Sequence, residues 1–116
     1  MLLGTALTTE VMDDGTPVVC ASGELDMLLA PGLARALGRA KGKGHPNVVL
    51  DLSESTFIDS TILGVIVGFA RKLENHGAAF VVVTEHPHLR HVLELTGLVR
   101  VFPVVGTREE ARAVLV

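Results

Sequence analysis

Several residues in this sequence carry side chains whose type and spacing could do chemistry. His86, His88 and His91, in EHPHLRH, place three imidazoles within six positions, and Glu85 is a fourth candidate metal ligand. Pro87 constrains that turn, and only His88 and His91 would share a helix face, so ordinary surface histidines explain the spacing better than a metal centre. Gly42-Lys43 fails as a phosphate-cradling loop. Leu37 stands where the first Gly should be, Gly44 follows the Lys, and a strand rather than a helix comes next. Ser60 sits in I-D-S-T-I instead of Gly-x-Ser-x-Gly, and nothing in the sequence assigns it a His base. The single cysteine, Cys20, lies in the apolar run PVVCA; it has no internal partner and reads as a small core residue rather than a nucleophile. No nucleophile, base, metal or cofactor site is assembled, which points to a binding protein and not an enzyme.

Asp51 is the more serious chemical candidate, because it ends a predicted central strand in an α/β chain about as long as a response-regulator receiver. A receiver also needs an acidic pair after its first strand and a Lys after its fifth. No Lys follows Lys72.

Composition narrows the classes further. A chain of 116 residues without a repeat has room for one domain, residues 1–116, and 48% hydrophobic residues can fill its core without disulfides or metals. Ten Lys plus Arg against thirteen Asp plus Glu give a net charge of −3, which offers no field for gripping a nucleic-acid backbone. The four Phe come without Tyr or Trp, so stacking platforms for single strands are lacking too. The opening MLLGTALTTE has no basic leader, and no window approaches the roughly 18 apolar residues of a membrane span. A cytoplasmic location, with no membrane partner, is expected.

The elements that must position the candidates follow from punctuation and periodicity. TALTTEV (5–11) and PVVCASGEL (17–25) flank an Asp-Gly turn and read as an antiparallel hairpin. Pro31 opens a helix that buries Leu33, Ala36, Leu37 and Ala40 and stops at Gly-Lys-Gly-His-Pro, and His45 and His76 look like solvated turn residues. A buried strand is predicted over 47–53, a helix from near Ser60 to the Gly77 stop, and a strand over 78–83. A short helix over 87–95, a last strand over 99–102 and a C-terminal helix opened by the capping box at Thr107 complete the plan. Strands alternating with helices after a hairpin predict an α/β fold with a mixed, mostly parallel sheet of about five strands and about four helices.

The helix starting at Ser60 is the most informative. At 100° per residue, Ile62, Ile66, Phe69 and Leu73 share one arc, with Val65 and Ala70 on its flanks, and that arc faces the sheet. Ser60, Gly64, Val67, Gly68, Arg71 and Asn75 form the opposite strip. Two glycines inside a helix cost about 1 kcal/mol each relative to Ala. They are either incidental, or tucked beneath a loop, or a smooth surface for a partner. Ser60 is either an N-cap or a hydroxyl placed where the free amides of a helix start can receive a phosphate.

These residues resemble the STAS family, in particular the bacterial anti-sigma factor antagonists. The most specific stretch, Phe57-Ile-Asp-Ser-Thr-Ile-Leu-Gly-Val-Ile, is similar to the family's Phe-x-Asp-Ser-Ser/Thr-Gly-Leu-Gly-Val-Leu/Ile. Gly23-Glu24-Leu25-Asp26 with Ala30-Pro31, Val48-Val49-Leu50-Asp51-Leu52, and Leu95-Thr96-Gly97-Leu98 match in the family's order. The resemblance implies a STAS fold and a domain that binds a GHKL-type anti-sigma serine kinase, releasing a sigma factor. It also implies phosphorylation of Ser60 by that kinase, reversed by a PP2C-type phosphatase. Docking is assigned to Glu24, Asp26, Asp59, Thr61, Gly64, Val67, Gly68 and Arg71, with loop and helix-start chemistry as the alternative for Glu24 and Asp26. Ile62 replaces the family's usual Gly, which makes the first turn stiffer for a kinase to grip. STAS domains also occur in stressosome scaffolds and in anion- or lipid-transport complexes, which is the alternative function.

Overall fold

The computed structural model describes residues 6–115. Residues 1–5, which include the start of the expected opening strand and part of the segment scanned for a leader, lie outside the described residues, as does Val116.

Strands β1 (Ala6–Val11) and β2 (Pro17–Leu25) form the expected antiparallel hairpin. Its turn closes through the Met12 amide to the Thr16 carbonyl, 2.9 Å, and Gly15 takes a φ of +89° that a residue with a Cβ rarely adopts. Helix α1 (Ala30–Lys41) follows, with Pro31 in its first turn and Ala30, Leu33, Ala36, Leu37 and Ala40 buried. Strand β3 runs over Asn47–Ile58, five residues beyond the expected end at Ser53. The polar Ser-Glu-Ser reads as a loop in sequence, but Ser55 is buried with its hydroxyl donating to the Ala21 carbonyl at 2.7 Å, which satisfies it inside the sheet. Asp51 therefore lies mid-strand and does not end it.

Helix α2 (Ser60–Asn75), strand β4 (Ala79–Val83) and helix α3 (Pro87–Leu95) come next, close to expectation. The strand expected over 99–102 is instead a 3-10 turn, Leu98–Arg100, entered through Gly97 at φ +77°. The apolar residues there are buried at Leu98 and Phe102, four apart, while Val99 and Val101 are exposed; this is the spacing of a helical turn, not the alternation of a strand. The last strand is the two-residue β5 (Val104–Val105), and α4 (Arg108–Val114) follows. The Thr107 hydroxyl accepts the Glu110 amide at 3.1 Å, as the capping box requires.

The strand order is β1-β2-β3-β4-β5, antiparallel in the first pair and parallel in the rest. One face of the sheet, through Val19, Leu50, Phe80 and Val82, packs against α1, α2 and α3; the other, through Val18, Val49, Val81 and Val83, packs against Ala111 of α4. Phe80 meets Phe69 and Phe102 edge-to-face at 5.3 and 5.2 Å, which ties α2 and the 3-10 turn to the sheet. Burying a side chain such as Ile62 or Ile66 contributes about 1.5–3 kcal/mol, so the apolar arc fixes which face of α2 is left outside.

Candidate functional site

Strands β2 and β3 end level with each other, Leu25 opposite Ile58, and the chain leaves them toward α1 and α2 at the same rim of the sheet. The Asp59 amide extends the pairing by donating to the Leu25 carbonyl at 3.1 Å. The Asp59 carboxylate then joins the two exits. One oxygen accepts the Ile62 amide and the other the Met27 amide, each at 2.9 Å. Asp59, and not Ser60, is thus the N-cap of α2, which corrects the capping alternative for the serine. A carboxylate at this position also complements the positive end of the helix.

Ser60 is the first residue of α2 and is exposed; among the described residues no side chain hydrogen-bonds its hydroxyl, so no base is paired with it. Thr61, Gly64, Gly68 and Arg71 are exposed on the same helix and Val67 is half-buried, while Ile62, Ile66, Phe69 and Leu73 are buried as the periodicity requires. A Cβ built on Gly64 or Gly68 would meet nothing within 4 Å. The glycines are not tucked beneath a loop; they line open surface. Ile62 is fully buried, so the branch that departs from the usual glycine points into the core and adds nothing to the outer strip.

Glu24 is exposed near the end of β2, and Asp26 is exposed with its carboxylate accepting the Leu28 amide at 3.0 Å, so Asp26 shapes the β2–α1 loop while facing solvent. That loop adds residues the sequence reading did not single out. Leu28 is 87% exposed, Met27 65% and Phe57 40%, all large apolar groups at the rim held by Asp59. The signal available in sequence was the triplet Met27-Leu28-Leu29, apolar in a loop between Asp26 and Pro31. Such side chains beside a free hydroxyl suit a surface that another protein covers.

The histidines have other roles. His86 caps α3 by accepting the His88 amide at 3.2 Å, and the His88 ring stacks on Phe57 with centroids 6.2 Å apart and planes 7° from parallel. Among the described residues no three His, Cys, Asp or Glu are placed to hold a metal ion. His45 is half-buried and accepts the Asn47 amide at 3.1 Å, unlike the solvated turn residue expected; His76 is exposed as expected.

On the other face of the sheet, Arg108 of α4 donates to Asp51 at 2.7 Å and also reaches Glu10 and the Cys20 sulfur. Burial pushes the Asp51 carboxyl up, but the Ser53 hydroxyl, Arg108 and the Ser53 amide outweigh it and hold the group below the usual carboxylate range. Asp51 is a structural anion under α4, with both oxygens engaged. Cys20 is half-buried against this network and not in the main core, and burial raises its thiol above the ordinary value, away from thiolate chemistry.

Residues 9–111 match the sequence profile of the STAS domain. The chain is 34% identical over 100 residues, 86% of each chain, to BtrV of Bordetella bronchiseptica, which is named as an anti-sigma factor antagonist. Among solved structures it superposes with TM-score 0.88 on an anti-sigma factor antagonist from Mycobacterium paratuberculosis, 34% identical and covering 97% of this chain and 94% of that one. It also superposes with TM-score 0.72 on the phosphorylated form of SpoIIAA from Bacillus, 25% identical over 93% of this chain and 97% of that one.

Proposed function

We propose, from the premise that this chain belongs to the STAS domain family and within it to the anti-sigma factor antagonists, that it binds an anti-sigma serine kinase and is switched off by phosphorylation of Ser60. Proteins of this group act by binding anti-sigma factors, as regulators and not as enzymes. The observation that carries the reading is the arrangement of the rim: Asp59 bonds to both exits while the Ser60 hydroxyl stands exposed, with no side-chain partner among the described residues, at the head of a glycine-lined strip.

Docking uses Ser60, Thr61, Gly64, Val67, Gly68 and Arg71 of α2, with Glu24, Asp26 and the apolar Met27, Leu28 and Phe57 around them. Asp59 acts by positioning. Its carboxylate holds the β2–α1 loop and the start of α2 in one geometry, so that the hydroxyl is presented on a fixed surface. The partner is a GHKL-type kinase that frees its sigma factor when it binds this domain, and a PP2C-type phosphatase restores the hydroxyl. All 116 residues act as one such domain, in the cytoplasm.

Phosphate on Ser60 adds about −1.5 to −2 charge. Free amides at the helix start receive it locally, so the fold is unharmed. The interface is harmed, because a surface that fits a hydroxyl must desolvate nearly two charges beside Asp59. Co-purification from the native host tests the reading: recovery of an anti-sigma kinase, lost with Ser60→Asp and kept with Ser60→Ala, is expected. Recovery of a transporter or stressosome complex and no anti-sigma kinase would replace it with the scaffold alternative.

A further inference from the structure

The two edges of the sheet are not alike. At one end of the strand order β5 is two residues long; at the other β1 is six, and among the described residues nothing pairs with its outer side. Soluble proteins blunt a free edge with a short strand, a bulge, a proline or a lysine, because its unpaired amides and carbonyls template a further strand. β1 has none of these: its register against β2 runs unbroken through six pairs, and ALTTEV holds neither Pro nor Lys. Its one charged side chain, Glu10, is already paired with Arg108.

The phase of the hairpin fixes which backbone groups are free. The Met12 amide donates to the Thr16 carbonyl across the turn, so hydrogen-bonded pairs alternate from there: Glu10 with Val18, Thr8 with Cys20 and Ala6 with Ser22. Pro17, which has no N–H, falls opposite Val11 in a pair that needs none. The amides and carbonyls of Leu7, Thr9 and Val11 therefore point away from β2, along the open edge. Side chains alternate too. Thr8 and Glu10 stand beside Cys20 and Arg108 on the face that carries α4, whereas Leu7 packs against Gly32 of α1, which puts Thr9 and Val11 on that second face.

We propose that this edge pairs with the same edge of a second copy of the chain, antiparallel about a two-fold axis, to make one continuous sheet with five strands from each copy. One register engages every free group of Leu7, Thr9 and Val11: Leu7 lies opposite the partner's Val11, and Thr9 opposite the partner's Thr9. Apolar then meets apolar where Val11 is 59% exposed, and the Thr8 hydroxyl donates to the partner's Glu10. Sliding the strands by one pair in one direction sets Glu10 against the partner's Glu10, a like-charge pair; sliding them the other way takes Val11 past Ala6. The seam is about 20 Å long, the length of a six-residue strand, which suits a reversible dimer. Ala6 lies opposite Ser22, three residues short of Leu25, so the seam is clear of the rim held by Asp59.

Sedimentation equilibrium of the intact chain up to about 1 mM tests the proposal, and a monomer–dimer equilibrium is expected. In a mixture of labelled and unlabelled chains, isotope-filtered NOEs should join the α-protons of Thr8 and Glu10 across the two copies. Thr9→Pro removes an outward donor without touching a bond to β2, and Val11→Lys sets a charge against the partner's Leu7. Each should raise the dissociation constant at least tenfold, while Ser60→Asp stays within twofold; the lysine variant decides the matter if the proline variant does not fold. A chain that is monomeric at the highest concentration, a dimer that Val11→Lys does not weaken, or contacts between copies at other residues would overturn the proposal. So would NOEs that place residues 1–5 of the same chain along the outer side of β1.

Discussion

Replacing Asp59 by Ala removes both bonds that join the two exits of the sheet. The cap to the Ile62 amide is worth about 1 kcal/mol on the usual scale for Asp-to-Ala at an N-cap. The bond to the Met27 amide lies in an exposed setting and adds about 1 kcal/mol. The variant should therefore lose about 2 kcal/mol in urea unfolding, which for a domain of this size lowers Tm by about 8 °C. Asp59→Asn keeps one oxygen acceptor, enough for the cap, but turns its NH2 toward the second amide, so it should lose about 1 kcal/mol, the bond to Met27. Hydrogen exchange supplies the local readout, because the Met27 amide should lose its protection in both variants, whereas the Ile62 amide should lose it in the Ala variant and keep most of it in the Asn variant. An Ala variant within about 0.5 kcal/mol of the parent, or equal losses for Ala and Asn, would refute the assignment of Asp59 as the joint.

Three further outcomes are expected. Gly64→Arg should fold normally, and gain up to about 1 kcal/mol from helix propensity, yet weaken anti-sigma factor binding; an unfolded variant would show that the strip is not open. Arg108→Ala should cost about 1–3 kcal/mol, less than breaking a fully buried pair because the arginine is partly exposed, and thermal unfolding at neutral pH measures it. Since the folded Asp51 pKa lies below its unfolded value near 3.9, its contribution is complete above about pH 5 and lost as pH falls through the folded value. The acid limb of the parent's stability curve should thus be steeper than that of the Arg108→Ala variant, and parallel limbs would contradict the pairing.

The parts of the fold that were legible in sequence are those where local pattern and tertiary environment agree. The Asp-Gly hairpin, the buried arc of α2 and the Thr107 cap each satisfy a backbone or burial requirement within a few residues. The second half of β3 was not legible, because the buried Ser55 finds its acceptor in Ala21, thirty-four residues away in the chain. The 99–102 stretch misled because alternation and a helical turn leave the same short apolar string until burial decides between them. At the candidate site the strip and its serine were readable from period and motif. The joint made by Asp59 was not, since its second partner is a backbone amide in a different loop, and backbone donors leave no mark on sequence.

The most direct measurement is phosphopeptide mass spectrometry of the chain after incubation with ATP and the anti-sigma factor that co-purifies with it, coupled to titration of the modified and unmodified forms against that partner. Phosphate on Ser60, with affinity lowered by a hundredfold or more and an unchanged unfolding profile, is the predicted result; a hundredfold corresponds to about 2.7 kcal/mol. Phosphate on Thr61 alone, no phosphate at all, or a phosphorylated Ser60 that binds as tightly as the free hydroxyl would contradict it.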